Sequence, residues 1–245
     1  MKNLFLFDLD GTLAKSTQKI DSNMINILKN LSINNDISIV SGGTYDKIKY
    51  QIDPENENIF CNIFAENGIM TYHNNKLIST DTIKNRLTEK QLQYVINLCL
   101  KYILELELPH KRGGFINFRN SIIYVSPSGH DVTLDERNTF AEYDKVYNIR
   151  KNMIKYLKKN IPISYNLDIK LGGQIGIAIR PMDWDKCYCL QFINTKKYNN
   201  IYFFGDRVTP DGNDYTLYKH ESIKGYGVNG PEDTYKFLKN IISSP

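Results

Sequence analysis

Short apolar runs alternate with polar turns and amphipathic stretches in the first third of the chain. Residues 3–7 and 37–40 are apolar runs typical of strands that are buried on both faces of a sheet. Between them, apolar positions at helical spacing predict a helix over 22–31. A third strand is predicted over 59–65, and it ends in a turn at 66–68. Strands and helices in this alternating order predict a parallel α/β sheet.

The middle of the chain has a different pattern. A long amphipathic helix is predicted over 83–105, and short strands over 115–118, 122–125 and 174–179 are separated by turns with Gly or Pro. A largely helical, charged stretch covers 134 to about 159, between the second and third of these strands. This order favours an antiparallel sheet with helices on one side, which is a separate α+β unit.

The first pattern returns in the last quarter of the chain. A helix over about 186–193 and a buried strand over 201–204 are followed by a last strand and a last helix. The predicted fold class is therefore α/β, with a Rossmann-like parallel-sheet core built from 1–82 and 185–245. We expect an α+β cap domain over 83–184, inserted into that core.

Composition excludes several classes of protein. With 41% hydrophobic and 24% charged residues, the chain resembles folded globular proteins and not disordered ones. A net charge of +4 is too small for a nucleic-acid partner, although it suits an anionic substrate if the basic residues gather. No run of about 18 apolar residues is present, so we expect no membrane partner. The four cysteines show neither metal spacing nor a disulfide framework, which favours a cytoplasmic location.

Two carboxylates follow the first strand, in the segment DLDGT (8–12). In an extended chain, residues i and i+2 point the same way, so Asp8 and Asp10 are expected to face one site. Two carboxyl groups this close need a cation or a shared proton, and Mg²⁺, a hard ion with oxygen ligands, meets that need. Asp8 would then attack phosphorus and form an aspartyl phosphate, with Asp10 as general acid/base. A lone Asp-x-Asp is often a solvated turn, but the full pattern after an apolar strand favours catalysis.

Two further strand ends carry polar loops. The hydroxyl of Ser41 and the amides of the two glycines after it can bind phosphate oxygens, although alone they are only a turn. Asp206 stands in the acidic loop after the strand at 201–204, and it is the third predicted metal ligand, with Asp8 and Asp10. Asp214, in the same loop, is expected to orient that loop or a lysine. In a parallel sheet the binding crevice lies outside the carboxyl ends of the strands, where these loops converge.

The predicted cap domain carries cations suited to a phosphate group. Arginine binds phosphate through two hydrogen bonds at once. The candidates in this region are Lys111, Arg112, Arg119 and Arg137. Any one of them, taken alone, would be assigned to a surface ion pair.

The motifs together resemble those of one family, the eukaryotic phosphomannomutases, which are capped members of the haloacid dehalogenase superfamily. The similar segments run nearly from end to end: FDLDGTL (7–13), FAENG (64–68), KRGGFINFRN (111–120), VSPSG (125–129), LDER (134–137), GGQI (172–175), WDKCYCL (184–190), YFFGD (202–206) and GNDY (212–215). The FRN, VSP-x-G and WDK-x-YCL segments are not general features of the superfamily, so they point to this family.

The resemblance implies an activity, a cofactor and an assembly. The activity is the interconversion of mannose 6-phosphate and mannose 1-phosphate in GDP-mannose biosynthesis, with Mg²⁺ as cofactor and a hexose 1,6-bisphosphate as activator. Lys186 would keep the nucleophile Asp8 ionised and neutralise the phosphoryl group. The cap arginines would hold the phosphate that is not reacting. A homodimer paired through the caps is also implied.

Several substrate positions depart from the family pattern. Thr17 and His130 stand where the family carries arginines. After GGQI, Gly176-Ile177-Ala178 replaces serine, an aromatic residue and aspartate. His220 and Ile223 occupy the positions of a second cation site, so that site is expected to be absent. The residues able to compensate for the missing groups are Lys15, His130 and Arg180.

The altered positions leave two enzyme activities open. Each lost phosphate contact weakens the hold on a bisphosphate by about 1.5–3 kcal/mol, and a bisphosphate that escapes leaves the aspartyl phosphate to water. The chain is thus predicted to be phosphomannomutase-like, with a Mg²⁺-dependent sugar-phosphate or hexose-bisphosphate phosphatase as the alternative. A non-catalytic binding protein is disfavoured, because the residues that it would often lose are present: Asp8, Asp10, Lys186 and Asp206.

Overall fold

The computed structural model describes residues 1–243, and the chain divides into two compact units. The first unit consists of Met1–Thr80 together with the chain from Trp184 onward, and the second unit is Asp81–Asp183. The expected boundaries differ from these by one or two residues, because 81–82 lie in the second unit and Trp184, which is buried, lies in the first.

Eleven strands and seven helices are present in the described part of the chain. The strands are β1 (Lys2–Phe7), β2 (Asp36–Val40), β3 (Asn62–Ala65), β4 (Met70–His73), β5 (Lys76–Thr80), β6 (Ile116–Phe118), β7 (Ile123–Val125), β8 (Leu167–Gly172), β9 (Gly176–Pro181), β10 (Tyr198–Gly205) and β11 (Lys224–Gly227). The helices are α1 (Ser22–Ser32), α2 (Tyr45–Ile52), α3 (Glu89–Leu104), α4 (Leu134–Tyr147), α5 (Ile149–Asn160), α6 (Tyr215–Tyr218) and α7 (Pro231–Ser243). Among the described residues, no helix combines the length and apolar character required to cross a bilayer.

A seven-stranded sheet organises the first unit, in the order β11-β10-β1-β2-β3-β4-β5. The first five strands in this order run parallel, and β4 and β5 are antiparallel additions at one edge. The apolar run of β1 lies at the centre, between β10 and β2, with Phe5, Leu6 and Phe7 buried. The predicted parallel α/β sheet is therefore confirmed, and the carboxyl ends of β1, β2 and β10 meet at one edge.

Helix α1 covers one face of this sheet because its apolar positions recur at helical spacing. Its start is fixed by Asp21, whose carboxylate accepts hydrogen bonds from the backbone N–H groups of Asn23 and Met24 at 2.8 and 2.9 Å. The buried side chains of the helix are Met24, Ile25, Ile27, Leu28 and Leu31. Together with apolar residues of β1 and β2, they form one core cluster.

The second unit contains a four-stranded antiparallel sheet in the order β6-β7-β9-β8. The antiparallel arrangement agrees with the prediction, but the sequence missed β8. The largely helical stretch expected from 134 to about 159 consists of two helices, because Asn148 adopts a left-handed conformation (φ +53°) between α4 and α5. A left-handed residue ends an α-helix, and asparagine is among the few side chains that tolerate that conformation.

Candidate active site

Asp8 directly follows β1 at the centre of the sheet. Its backbone N–H donates to the carbonyl of Phe204 at 2.9 Å, so the pairing of β1 with β10 continues to this residue. The side chain is buried, with one carboxylate oxygen bonded by the Lys186 ammonium and the other accepting a 3.4 Å hydrogen bond from the Thr12 hydroxyl. A buried, well-held carboxylate thus stands at the sheet edge where the parallel strands end.

Lys186 lies completely buried at the start of a short 3₁₀ helix, Lys186–Phe192. The sequence predicted a helix here, and its start is capped by Asp185, which accepts a 2.8 Å hydrogen bond from the Cys187 N–H. The ammonium forms ion pairs with Asp8 and, at 2.5 Å, with Asp214. Burial by itself lowers the pKa of Lys186, but the charges of Asp214 and Asp8 outweigh it and raise that pKa, so the group stays charged.

Three carboxylates form an acidic cluster at this edge. The cluster consists of Asp8, Asp206 and Asp214, each of which has a ligand oxygen within 4.8 Å of the others. Asp206 follows β10, and Asp214 is held in place by the N–H of Arg207, which donates to its carboxylate at 2.9 Å. Asp214 was expected to orient this loop or a lysine, and its carboxylate accepts from the Arg207 N–H and pairs with Lys186. It also lies in the acidic cluster.

The glycine of the DLDGT segment, Gly11, leaves room for the Asp206 carboxylate. Gly11 has φ +85°, and a Cβ atom at this position would clash with the Asp206 carboxylate. Only a residue without a side chain therefore allows the loop after β10 to approach the loop after β1 so closely.

The acidic cluster has more negative than positive charge, because Lys186 is paired with two of its three carboxylates. Burial raises the pKa of Asp8 to about 7, because nearby Asp214 and Asp206 add to the burial effect and Lys186 only partly opposes it. Burial, followed by the charge of Asp214, also raises the pKa of Asp206. Three carboxylates face one buried lysine, so a divalent cation would balance the charge. Carboxylate oxygens are the ligands that Mg²⁺ prefers, so the cluster fits this ion.

The carboxylate of Asp10 lies outside the acidic cluster. It forms an ion pair with Lys47 and accepts hydrogen bonds from the Gln51 amide at 2.9 Å and from the Thr17 N–H at 2.8 Å. The expectation that the side chains of Asp8 and Asp10 face one ion rested on the alternation of a strand. Strand β1 ends at Phe7, and Asp10 stands in the turn beyond it, where that alternation no longer applies.

The hydrogen bonds at Asp10 keep its carboxyl group ionised. Burial raises its pKa, but the bonds from Lys47, Thr17 and Gln51 together outweigh burial and lower it. The sequence did not single out Lys47 or Gln51. Their spacing of four residues was the available signal, because side chains at i and i+4 of a helix lie on the same face.

Ser41 follows β2, the strand next to β1, and is buried. Its hydroxyl oxygen accepts a 3.1 Å hydrogen bond from the Gly43 N–H, and its own N–H donates to the Phe64 carbonyl at 3.0 Å. The loop is thus a fixed turn whose hydroxyl hydrogen is still available to donate to an anion.

In the second unit, Arg119, His130 and Arg137 are gathered around Tyr124. The Arg119 guanidinium lies 5.3 Å from the centre of the Tyr124 ring, and the His130 ring lies 5.1 Å from it. Burial lowers the pKa of His130, and the charges of Arg119 and Arg137 lower it further. No ion pair joins either arginine to a carboxylate within residues 1–243. We call these four side chains the basic cluster.

Other predicted phosphate-binding cations contact carboxylates or a backbone carbonyl. Arg112 forms an ion pair with Glu136 at 2.5 Å. The candidate substitutes for missing family residues, Lys15 and Arg180, pair with Glu232 at 3.8 Å and with Asp168 at 3.2 Å. Lys111 donates to the carbonyl of Ile103 at 2.7 Å.

Comparison with known proteins identifies relatives along nearly the whole chain. A family model described as eukaryotic phosphomannomutase matches residues 24–244. Phosphomannomutase 1 of Mus musculus is 41% identical over 241 residues, which cover 98% of this chain and 92% of that protein. Phosphomannomutase of Glycine max is 37% identical over 237 residues, which cover 97% of this chain and 95% of that protein.

Solved structures with the same fold have much lower sequence identity. The C-terminal domain of trehalose-6-phosphate phosphatase from C. albicans has a TM-score of 0.66 and 16% identity, covering 98% of this chain and 92% of that one. N-terminally truncated IMP-nucleotidase from Plasmodium falciparum has a TM-score of 0.65 and 17% identity, covering 100% of this chain and 71% of that one. These similarities confirm the predicted fold class.

Proposed function

From the premise that this chain belongs to the eukaryotic phosphomannomutase family, we propose that it interconverts mannose 6-phosphate and mannose 1-phosphate. The observation that carries this proposal is the buried carboxylate of Asp8, which is bonded by Lys186 and belongs to the acidic cluster. Phosphoryl transfer by a mutase needs an ionised nucleophile that can accept and return a phosphoryl group, and this arrangement supports that role.

Asp8 acts as the nucleophile, and its neighbours make the attack possible. One Asp8 oxygen attacks phosphorus, the bond from phosphorus to the sugar oxygen breaks, and an aspartyl phosphate forms. Lys186 stays charged throughout and offsets the negative charge that gathers on the phosphoryl oxygens. Ser41 donates its hydroxyl hydrogen to one of those oxygens.

Asp8, Asp206 and Asp214 would hold Mg²⁺. When bound, this ion supplies positive charge that reduces repulsion between the anionic nucleophile and the phosphate.

The sequence also predicted Asp10 as a ligand, and its carboxylate bonds instead to Lys47 and Gln51. We therefore assign the Asp10 side chain to proton transfer. In its ionised form it can take the proton of the attacking sugar hydroxyl, and once protonated it can return the proton to the leaving oxygen.

Replacing Asp10 by alanine is expected to slow turnover by about 10²–10⁴-fold, the range for loss of a general acid/base. Steady-state kcat with mannose 1-phosphate gives the measurement. Asp46, exposed on α2, offers a matched aspartate-to-alanine control that should keep the wild-type rate. An unchanged rate for Asp10→Ala would leave Asp10 with a structural role only.

The basic cluster is proposed to bind the phosphate that is not being transferred. Arg119 and Arg137 support this role because neither is neutralised by a carboxylate within the described residues, whereas Arg112 is paired with Glu136. Arginines free of such pairs can form two charge-assisted hydrogen bonds to one phosphate.

Replacing Arg137 by alanine is expected to raise KM for a sugar phosphate by about tenfold or more, since a charged hydrogen bond contributes about 1.5–3 kcal/mol. A small aryl phosphate has no second group for the cluster, so its kinetics should change little. Arg112→Ala is the matched control within the same unit, and we expect a smaller change in KM. Equal effects of Arg137→Ala on both substrates would refute the phosphate role.

A sugar-phosphate or hexose-bisphosphate phosphatase is the second candidate function. It is favoured by the ion pairs of Lys15 and Arg180, because two of the three candidate substitutes for missing phosphate contacts already pair with carboxylates. An enzyme that holds its bisphosphate weakly releases it, and water then attacks the aspartyl phosphate.

One assay separates the two candidates. The protein is incubated with Mg²⁺, mannose 1-phosphate and a trace of glucose 1,6-bisphosphate, and mannose 6-phosphate and free phosphate are both measured. Mannose 6-phosphate without phosphate release supports the mutase, and phosphate release without the isomer supports the phosphatase. Asp8→Asn in parallel excludes a contaminating enzyme.

We further propose that the protein is a cytoplasmic homodimer activated by a hexose 1,6-bisphosphate. Exposed apolar side chains in the second unit, such as Leu104, Val146 and Ile163, support pairing through that unit. The four free cysteines support a reducing compartment. Sedimentation equilibrium tests the dimer, with an expected mass of about twice 28.4 kDa.

A further inference from the structure

The position of His130 is fixed by two interlocking loops of the second unit. The His130 N–H donates to the carbonyl of Gly113 at 3.0 Å, and the Arg112 N–H donates to that of Ser128 at 2.9 Å. Gly129, which lies between Ser128 and His130 in the sequence, has φ +94°. A Cβ atom there would lie 2.5 Å from the carbonyl oxygens of Arg112 and Gly113. The backbone that carries the imidazole therefore has little freedom.

The imidazole of His130 has an unused nitrogen. Its Nε2 atom is buried and has no hydrogen-bond partner in the described part of the chain. A buried polar nitrogen without a partner is costly, so it normally marks a place where another group binds. Tyr124 is not that group, because its hydroxyl donates to the Gly172 carbonyl at 2.6 Å and forms no hydrogen bond with Nε2.

The charges that face His130 are mostly positive. Arg119, which follows β6, and Arg137, on α4, both lower the pKa of His130 in addition to burial, and neighbouring Asp131 opposes them. The charge of Arg150 on α5 favours a lower pKa of Tyr124, against the effect of burial, although Arg150 itself forms an ion pair with Asp144 at 2.7 Å. The imidazole is therefore neutral in the free protein at pH 7, and a bound anion would reverse the balance of charge around it.

We propose that His130 takes up a proton when a substrate phosphate binds beside Arg119 and Arg137, which makes substrate affinity depend on pH. This inference rests on the proposed function, because it assumes that the basic cluster binds a phosphate of the substrate. The proton comes from solvent and resides on the imidazole, so that Nε2 donates a charged hydrogen bond to a phosphate oxygen, and it leaves when the phosphate leaves. An arginine in this place would be charged at every physiological pH, whereas histidine titrates near neutrality.

The kinetic test compares His130 variants across pH. For the wild type, KM for mannose 1-phosphate is expected to rise about tenfold from pH 6.5 to pH 8.5, the scale of one charged hydrogen bond, with little change in kcat. In His130→Arg, KM should stay flat apart from the second ionisation of the phosphate itself, near pH 6. In His130→Gln, KM should be high at every pH. His220→Gln, a matched substitution of a partly exposed histidine in the first unit, should retain the wild-type profile.

A binding measurement gives an independent readout. Proton NMR follows the imidazole signals of Asp8→Asn, with and without glucose 1,6-bisphosphate, and the same spectra of the Asp8→Asn/His130→Gln double variant assign the His130 signal. We expect the titration midpoint of His130 to lie below that of an ordinary histidine in the free protein and to rise when the bisphosphate binds.

The outcomes separate this inference from the proposed function. Mutase activity with the same pH profile in the wild type and His130→Arg would overturn the role of His130 and leave the function standing. If no mutase activity is found, the proposed function fails, and the NMR titration alone decides the inference. A titration midpoint of His130 that does not move when the bisphosphate is added then overturns the inference. A midpoint that rises supports proton uptake on phosphate binding.

Discussion

Replacing Asp8 by asparagine should abolish turnover of both mannose 1-phosphate and a simple aryl phosphate while the protein remains folded. Removal of a nucleophile costs on the order of 10⁴–10⁶ in rate, because no other group can form the covalent intermediate. The fold should survive because the amide has almost the same shape as the carboxylate, and Lys186 keeps its ion pair with Asp214. Kinetic measurements and a thermal unfolding curve on the same preparation test both parts.

The matched control is Asp46→Asn, on the exposed side of α2, which should retain wild-type turnover. A residual rate close to wild type in Asp8→Asn would show that another residue is the nucleophile. Loss of the cooperative unfolding transition would instead mean that Asp8 is needed for folding, and the kinetic result would then carry no weight.

The second large effect is expected from replacing Lys186 by methionine. This change removes the cation that bonds Asp8 and Asp214 and leaves two buried carboxylates without their partner. Breaking a buried ion pair typically costs about 3–5 kcal/mol in the free energy of unfolding. Activity should also disappear, because Asp8 loses the charge that favours its ionised form.

Urea unfolding in the presence of a chelator measures this cost, since a bound metal ion would stabilise the folded state and mask it. The double variant Lys186→Met/Asp214→Asn also removes the charge of Asp214. Its loss in free energy of unfolding should therefore be smaller than the sum of the losses in the two single variants. Adding Mg²⁺ should restore part of the stability of Lys186→Met. A cost of less than about 1 kcal/mol would contradict the assigned role of the pair, because a buried pair should cost more than an exposed one.

How much of the fold the sequence could predict depended on burial. Strands β1, β2 and β10 were predicted as continuous apolar runs because they lie inside the parallel sheet, where both faces are covered. Strands β4 and β5 were missed, since most of their residues are at least partly exposed and no such run marks them. The sequence therefore indicated the centre of the sheet and not its antiparallel edge.

The candidate site was predictable where residues follow a strand end and not where contacts depend on distant parts of the chain. Asp8 and Asp206 were expected together because the ends of parallel strands share one edge. The bond between Asp10 and Lys47 was not predicted, since the two residues are 37 positions apart and β1 ends before Asp10. The role of Lys186 came only from family resemblance, because a lysine on a helix has no distinctive local signal.

The bond between Lys186 and Asp8 spans 178 residues of sequence, and this separation has a consequence for biosynthesis. Strand β1 leaves the ribosome before its neighbour β10, which follows nearly two hundred residues later. At translation speeds of about 5–20 residues per second, the nascent chain waits for roughly 10–40 seconds with its central strand unpaired on one side. The second unit is continuous in sequence and can fold during that interval. A chain released before Lys186 is made would therefore contain a folded second unit, but Asp8 would lack its lysine. We expect such incomplete chains to have no phosphotransferase activity.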